Sequence, residues 1–312
     1  MTKNKHAAEI DKAVQILSHG GICAIPTETV YGLAADATNS EAVSKIYALK
    51  NRPTFNPLIV HVTSIEQATA FAEISNDHQK VCTYFWEKQQ PLTVVLPLRA
   101  KHAISPLVTA GLKTIAIRKP NHPMALDIIH KVGPIAAPSA NQSTHISPTS
   151  AEHVRKSFGK NSPYIVDGGP CTVGLESTIL DLTTTEPCIL RAGGVTKETL
   201  EAYFKCPLNT TSATIKAPGM MKKHYSPGCP VILNTEAVTP GDVLLGFGPT
   251  TPDYASINLS PTGNLIEAAT NLFDALHTLE SMNPKRILIS PIPMIGLGLA
   301  INDRIARAAA HD

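Results

Sequence analysis

The sequence predicts an α/β fold with a mixed sheet, followed by a second, smaller α/β unit. Three observations predict it. Short apolar runs recur between helical stripes without strict alternation, which suits a mixed rather than an all-parallel sheet. Apolar periodicity then fails over residues 206–218, a small and polar stretch that reads as a linker. Finally, 312 residues exceed what one core usually covers. The expected division is a first domain over 1–206, a linker over 207–229 and a small domain over 230–312.

The elements follow in order. Ile10, Ala13, Val14 and Leu17 form a helical stripe that ends at Gly20 and Gly21. Ile22, Cys23, Ala24 and Ile25 make a short buried strand. Next comes Pro26-Thr27-Glu28-Thr29-Val30-Tyr31-Gly32-Leu33. If extended, it points Thr27, Thr29 and Tyr31 into one site and Glu28 and Val30 away. The same alternation also fits a plain strand edge. Gly32 permits a sharp turn or a close ligand approach.

Thr38 to Glu41 has capping-box spacing, and Val43, Ile46 and Tyr47 mark a helix ending near Lys50. A strand is expected over 58–62, and a second capping box from Ser64 to Gln67. A helix carries Val81, Tyr84 and Phe85. Strands are expected over 92–96 and 114–118, then a helix from Pro123, a residue suited to a first turn. A strand over 135–137 and a helix capped from Thr149 to Glu152 follow. Strands over 164–166, 178–182 and 188–190 complete the first domain.

Past the linker, strands over 231–233, 243–245 and 286–289 accompany two helices. One carries Leu265, Ala269, Leu272, Leu276 and Leu279; the last carries Ile301, Ile305 and Ala309. This is a small βα-type domain, compact enough to fold alone.

Composition narrows the function classes. Lys and Arg number 27 against 25 Asp and Glu, so the net charge of +2 demands no polyanion partner. A single Trp and 5% aromatic residues argue against an aromatic binding platform. Six cysteines are scattered with no C-x-x-C pair, which suits reduced thiols in the cytoplasm better than a zinc or disulfide framework. The polar N-terminus does not read as a signal peptide. No apolar run is long enough for a bilayer, so no membrane partner is expected.

The chemistry-bearing residues are dispersed. Lys50 and Arg52 share a face if extended, which suits phosphate or carboxylate oxygens; taken alone, Lys50-Asn51-Arg52 reads better as a solvated helix end. Asn56 and His61 follow. Arg118 ends a strand, placed either to clamp an acid or to make a surface ion pair. Ser139 and Asn141 alternate after another strand. Gly-x-Ser-x-Gly is absent, so Ser139 reads as a hydrogen-bonding group and not a nucleophile. Ser147 lies in a polar loop. Ser177 starts a strand after a Gly-broken turn, and Arg191 ends the next. No Walker A motif and no useful Gly-x-Gly-x-x-Gly occurs, so a nucleotide would be held by separated Lys, Arg and Ser side chains. The hinge over 217–227, with His224 and Tyr225, is either a lid or a spacer.

Four motifs, in this order, resemble the threonylcarbamoyl-AMP synthases, the YrdC-like proteins. They are Pro26 to Leu33; Lys50-Asn51-Arg52 with Asn56-Pro57-Leu58; Ala137-Pro138-Ser139-Ala140-Asn141; and Glu176-Ser177-Thr178-Ile179. The hinge and the extra C-terminal domain resemble the long, two-domain form. The resemblance implies a twisted mixed sheet around a concave basic cleft, with a small Rossmann-like domain appended. The reaction implied joins L-threonine, bicarbonate and ATP into threonylcarbamoyl-adenylate and pyrophosphate, for t6A modification of tRNA beside the anticodon.

By matched position, Thr29, His61, Arg118, Ala137 and Ser177 would hold threonine, with Arg118 on its carboxylate. Lys50, Arg52, Asn56, Thr114, Ser139, Ser147, Arg191 and Tyr225 would contact ATP. Lys50 and Arg52 would face the phosphates as the catalytic pair. Mg2+ would be bound through the phosphates. A downstream threonylcarbamoyl-transferase would receive the product, and a weak tRNA contact is compatible. The rival reading is a non-catalytic RNA-binding module of the same fold.

Overall fold

The computed structural model describes residues 2–210 and 224–310. The chain begins with α1 (Thr2–Ser18), β1 (Cys23–Ile25), β2 (Gly32–Asp36), α2 (Ser40–Lys50), β3 (Ile59–His61) and α3 (Ile65–Ala68). It continues through α4 (Asn76–Glu87), β4 (Leu92–Pro97), α5 (Pro106–Thr109), β5 (Thr114–Arg118), α6 (Pro123–Val132) and β6 (Ile135–Ala136). Then come α7 (Ala151–Phe158), β7 (Tyr164–Ile165), β8 (Thr178–Asp181), β9 (Cys188–Arg191) and α8 (Lys197–Phe204). The C-terminal unit holds β10 (Val231–Leu233), β11 (Asp242–Gly246), β12 (Ile257–Asn258), α9 (Leu265–Ser281), β13 (Arg286–Ile289) and α10 (Leu297–Ala309).

Among the described residues the first nine strands form one mixed sheet, ordered β7-β1-β2-β6-β3-β5-β4-β8-β9. The C-terminal sheet is parallel, ordered β10-β13-β11-β12. Strand alternation sorts the central strands. Val60, Val94, Ile117 and Leu180 enter the main core beneath α2 and α4. Ile59, Val95, Ala116 and Ile179 form a small cluster on the opposite face. That second face carries the site. At the other end of the sheet, α1 and α6 close a separate core over β1.

The expected strands and long helices fall where the periodicity puts them, but β2, over Gly32–Asp36 between β1 and β6, is not among them. The caps differ. Asn39, not Thr38, caps α2 by accepting from the Ala42 N–H, because the Thr38 hydroxyl is donated to Asp36. Ser150, not Thr149, caps α7. Ser64 caps α3, yet Gln67 accepts from the Thr63 N–H and so closes no box. The short elements α5, α8 and β12 carried too little periodicity to be expected.

The second core is not self-contained. It takes in Val30, Ile146 and Leu175 from the first unit and Tyr225 from the expected linker. Residues 211–223 of that linker, and with them the first part of the expected lid, lie outside the described residues.

Candidate active site

Register brings four strand ends together. His61 sits opposite Arg118, Arg118 opposite Thr93, and Thr93 beside Ile179. Because side chains two apart share a face, His61, Thr93, Arg118 and Ser177 emerge side by side above the small apolar cluster. The Thr93 and Ser177 hydroxyls lie 2.7 Å apart. Arg191, at the end of β9, donates from Nη2 to the Ser177 carbonyl at 2.9 Å and to its Oγ at 3.3 Å.

The motif over 26–31 is bent, not extended, which corrects the expected alternation. Thr27 donates to the Val30 carbonyl at 2.6 Å and shares a 2.9 Å hydrogen bond with the Thr29 hydroxyl. Tyr31 turns its hydroxyl away, to the Gly169 carbonyl. Glu28, expected to point outward, turns inward and pairs with Arg118. The bend has a local cause: the Thr27 hydroxyl serves the backbone around it as a turn does.

Lys50 and Arg52 are buried, with 1% and 7% of their surface exposed, so neither is a solvated helix end. Nor is the segment extended. Asn51 takes the left-handed conformation, φ 50°, as the C-cap of α2 and reverses the chain. Lys50 Nζ donates to the carbonyls of Ser139 and Asn141 at 2.6 and 2.5 Å. Arg52 donates to the carbonyls of Asn56 and Pro57.

These cations crowd one another. Burial, then the neighbouring Arg52, draws the Lys50 ammonium well below its ordinary value. Arg52 falls to about 10, by burial first and with Arg191 adding to it. Arg191 is lowered by burial, and Arg118 contributes. Buried like charges of this kind are relieved by an anion. His61 and His224 are each held down to about 3, chiefly by burial, so both are neutral at ordinary pH. Nδ1 of each is buried without a hydrogen-bond partner.

One cleft gathers most of the expected residues. Arg52, His61, Arg118, Ala137, Ser139, Ser177, Arg191 and Tyr225 line it. Lys50 lies behind Ser139, Thr29 behind Thr27, and Asn56 behind Arg52. Ser147 is not part of a covering loop; it is fully buried and donates to Glu176 Oε1 at 2.6 Å. Thr114 is set apart. It pairs with Pro97 at the far end of β5, four residues from Arg118, or roughly 13 Å along the strand. Tyr225 is 1% exposed and stacks on Phe273 of α9.

Sequence reading gave no role to Glu28, Thr93, Glu176 or His224. Only Thr93 had a usable signal, since alternation along β4 puts it on the polar face once the register is known. Among the described residues no group of three or more His, Cys, Asp or Glu could hold a metal ion.

A buried cluster of cations beside neutral hydrogen-bonding groups marks an enzyme that positions small anionic substrates. Comparison with known proteins supports that class. A family model described as "Telomere recombination" matches residues 15–193, and one described as "Threonylcarbamoyl-AMP synthase, C-terminal domain" matches residues 195–310. Threonylcarbamoyl-AMP synthase of Bacillus subtilis is 38% identical over 96% of this chain and 93% of its own. The Pyrococcus abyssi synthase is 36% identical over the same shares. A crystal structure of P. abyssi Sua5 complexed with L-threonine superposes with a TM-score of 0.87 at 36% identity, covering 96% of this chain and 94% of that one. The chain belongs to the threonylcarbamoyl-AMP synthase family, in its two-domain form.

Proposed function

We propose that this enzyme makes L-threonylcarbamoyladenylate from L-threonine, bicarbonate and ATP, releasing pyrophosphate, and so supplies t6A modification of tRNA. One observation carries the reading. Arg118, His61 and Ser177, suited to an amino acid, open into the same cleft as Arg52, Ser139 and Arg191, suited to a polyphosphate.

The chemistry asks mainly for position. Threonine's amine captures bicarbonate with loss of water, giving a carbamate. A carbamate oxygen attacks the α-phosphorus of ATP, and the bond to the β-phosphate breaks. The nucleophile is already anionic, so no Ser–His pair is required. Alignment and charge neutralisation suffice. Arg118 would take the threonine carboxylate. Neutral His61, with a free Nδ1, would offer a hydrogen bond without adding charge. Arg52 and Arg191, with Lys50 fixing the 139–141 loop beside them, would face the triphosphate. Mg2+ would come with the nucleotide, held by its phosphates, because the cleft offers no carboxylate cage.

A receiving threonylcarbamoyl-transferase is required by the instability of a mixed carbamic–phosphoric anhydride. No helix among the described residues is long and apolar enough to cross a membrane. The RNA-binding rival fits less well, since Lys50, Arg52, Arg118 and Arg191 are all buried and do not form an exposed basic track.

The test is a three-substrate assay. Pyrophosphate should appear only with ATP, threonine and bicarbonate together. Release without threonine, or none at all, rejects the reading.

A further inference from the structure

The C-terminal unit sends one side chain into the wall of the cleft. Arg304, on α10, has no exposed surface. Its Nε donates to Glu176 Oε2 at 2.9 Å, and its Nη2 donates to the Ala192 carbonyl at 2.8 Å. Nη1 pairs with the adjacent Asp303. The guanidinium carbon stands 5.1 Å from the centre of the Tyr225 ring. Glu176 and Tyr225 line the cleft, and Ala192 follows Arg191, which also lines it. Arg304 therefore braces the cleft wall from behind at three points.

Glu176 poses a chemical problem. A carboxylate beside a triphosphate would repel it. Burial favours the neutral acid, but Arg304, Arg191 and the Ser147 hydroxyl outweigh burial and keep the group ionised. One oxygen accepts from Ser147 and the other from Arg304. The largest counter-charge thus comes from a cation that the first unit does not itself supply, with Arg191 adding to it.

We propose that Arg304 is a positioning residue for the nucleotide: it neutralises Glu176, aims it at Ser147, and so makes the C-terminal unit part of the triphosphate end of the cleft. The inference rests on the reading of the cleft as an ATP site. Its geometry asks for Arg. Nε, Nη1 and Nη2 of one rigid plane reach Glu176, Asp303 and Ala192, a spread of fixed donors that a compact lysine ammonium does not match.

The experiment measures ATP binding by calorimetry and both KM values by pyrophosphate release. It uses the full chain as wild type, R304M, R304K, E176Q and R304M/E176Q. R304M should weaken ATP binding about tenfold or more, because it strands a buried carboxylate facing the phosphates. The threonine KM should move less than about threefold, as Arg304 does not touch that end. R304K should recover part of the ATP affinity. R304M/E176Q should bind ATP within about threefold of E176Q alone, since residue 176 then carries no charge to neutralise and Asp303 keeps its pairing with Arg307.

Should R304M fail to fold, that last comparison carries the test, because a neutral pair of similar size is tolerated where a lone buried charge is not. A tenfold gap between E176Q and the double variant would overturn the proposal. So would equal ATP affinity in wild type and R304M, or a joint loss for both substrates that E176Q does not relieve. Wild type that binds no ATP would instead reject the ATP site itself, and this inference with it.

Discussion

Arg118 Nη2 donates to Glu28 Oε1 across 2.7 Å, with both side chains at most 5% exposed. Neither Arg118 Nε nor Glu28 Oε2 has a hydrogen-bond partner. Arg118 lines the cleft and Glu28 does not, so Glu28 holds the guanidinium from behind. Removing one partner strands the other. Arg118→Met should lose about 3–5 kcal/mol in urea unfolding. Adding Glu28→Gln should return most of that stability. The threonine KM should stay raised about tenfold or more in both variants. If the double variant regains normal threonine use, Arg118 does not bind the amino acid.

Lys50 holds a loop that lines the cleft through Ser139. Its ammonium is the donor for two loop carbonyls that belong to Ser139 and Asn141. Lys50→Met leaves both without that donor. The expected loss is about 1–3 kcal/mol for each carbonyl that stays unsatisfied. Turnover should drop about 100-fold, because the cleft loses both a cation and the loop position. Unfolding curves and pyrophosphate release check the two effects separately. Near-normal turnover would exclude Lys50 from the reaction.

The interface between the units should be acid-sensitive. His153 of α7 stacks on His277 of α9 with ring centres 3.9 Å apart, and His277 Nε2 contacts the Ser147 carbonyl at 3.2 Å. Burial, then His153, pushes His277 from 6.5 to about 3. His153 is lowered as well, mainly by burial. The sign follows from linkage. A histidine with a depressed folded value takes its proton more readily when unfolded. Stability is complete above 6.5 and is lost as the pH falls toward about 3. At about pH 5 the His277 contribution lost is roughly 2 kcal/mol. Melting temperatures across pH 7.5 to 5 should fall, and His277→Gln should flatten the slope. An unchanged slope in that variant would sink the prediction.

Gly174 packs directly against α9 of the C-terminal unit. It holds φ +74°, and an added Cβ would lie 2.3 Å from the Thr270 carbonyl of α9. Gly169 has a similar φ of +80° but open space around it. Gly169→Ala should therefore lose only the backbone strain, about 1–2 kcal/mol. Gly174→Ala adds a clash with backbone and should lose clearly more, with the units forced apart. Equal thermal shifts for the two variants would argue against so tight a seam.

The periodicity of the chain was enough to place most of the sheet strands and the long helices, though not β2. Apolar alternation over 114–118 and the 4–3–4–3 spacing after Leu265 are local signals, and local sterics decide them. Motif order likewise identified the family and most of the cleft residues. What it could not yield was neighbourhood. Alternation says that Thr93 and Arg118 each face one side of a strand; only register says that they face each other. Lys50 looked like a surface residue because its acceptors lie 89 and 91 positions away. Thr114 shares a strand with Arg118, yet lies at the end of β5 away from the cleft. Glu28, Glu176 and Arg304 carry meaning only as pairs, across 90 and 128 positions. Charge state, burial and alignment are sums over spatial neighbours, and the fold brings those neighbours together from opposite ends of the chain.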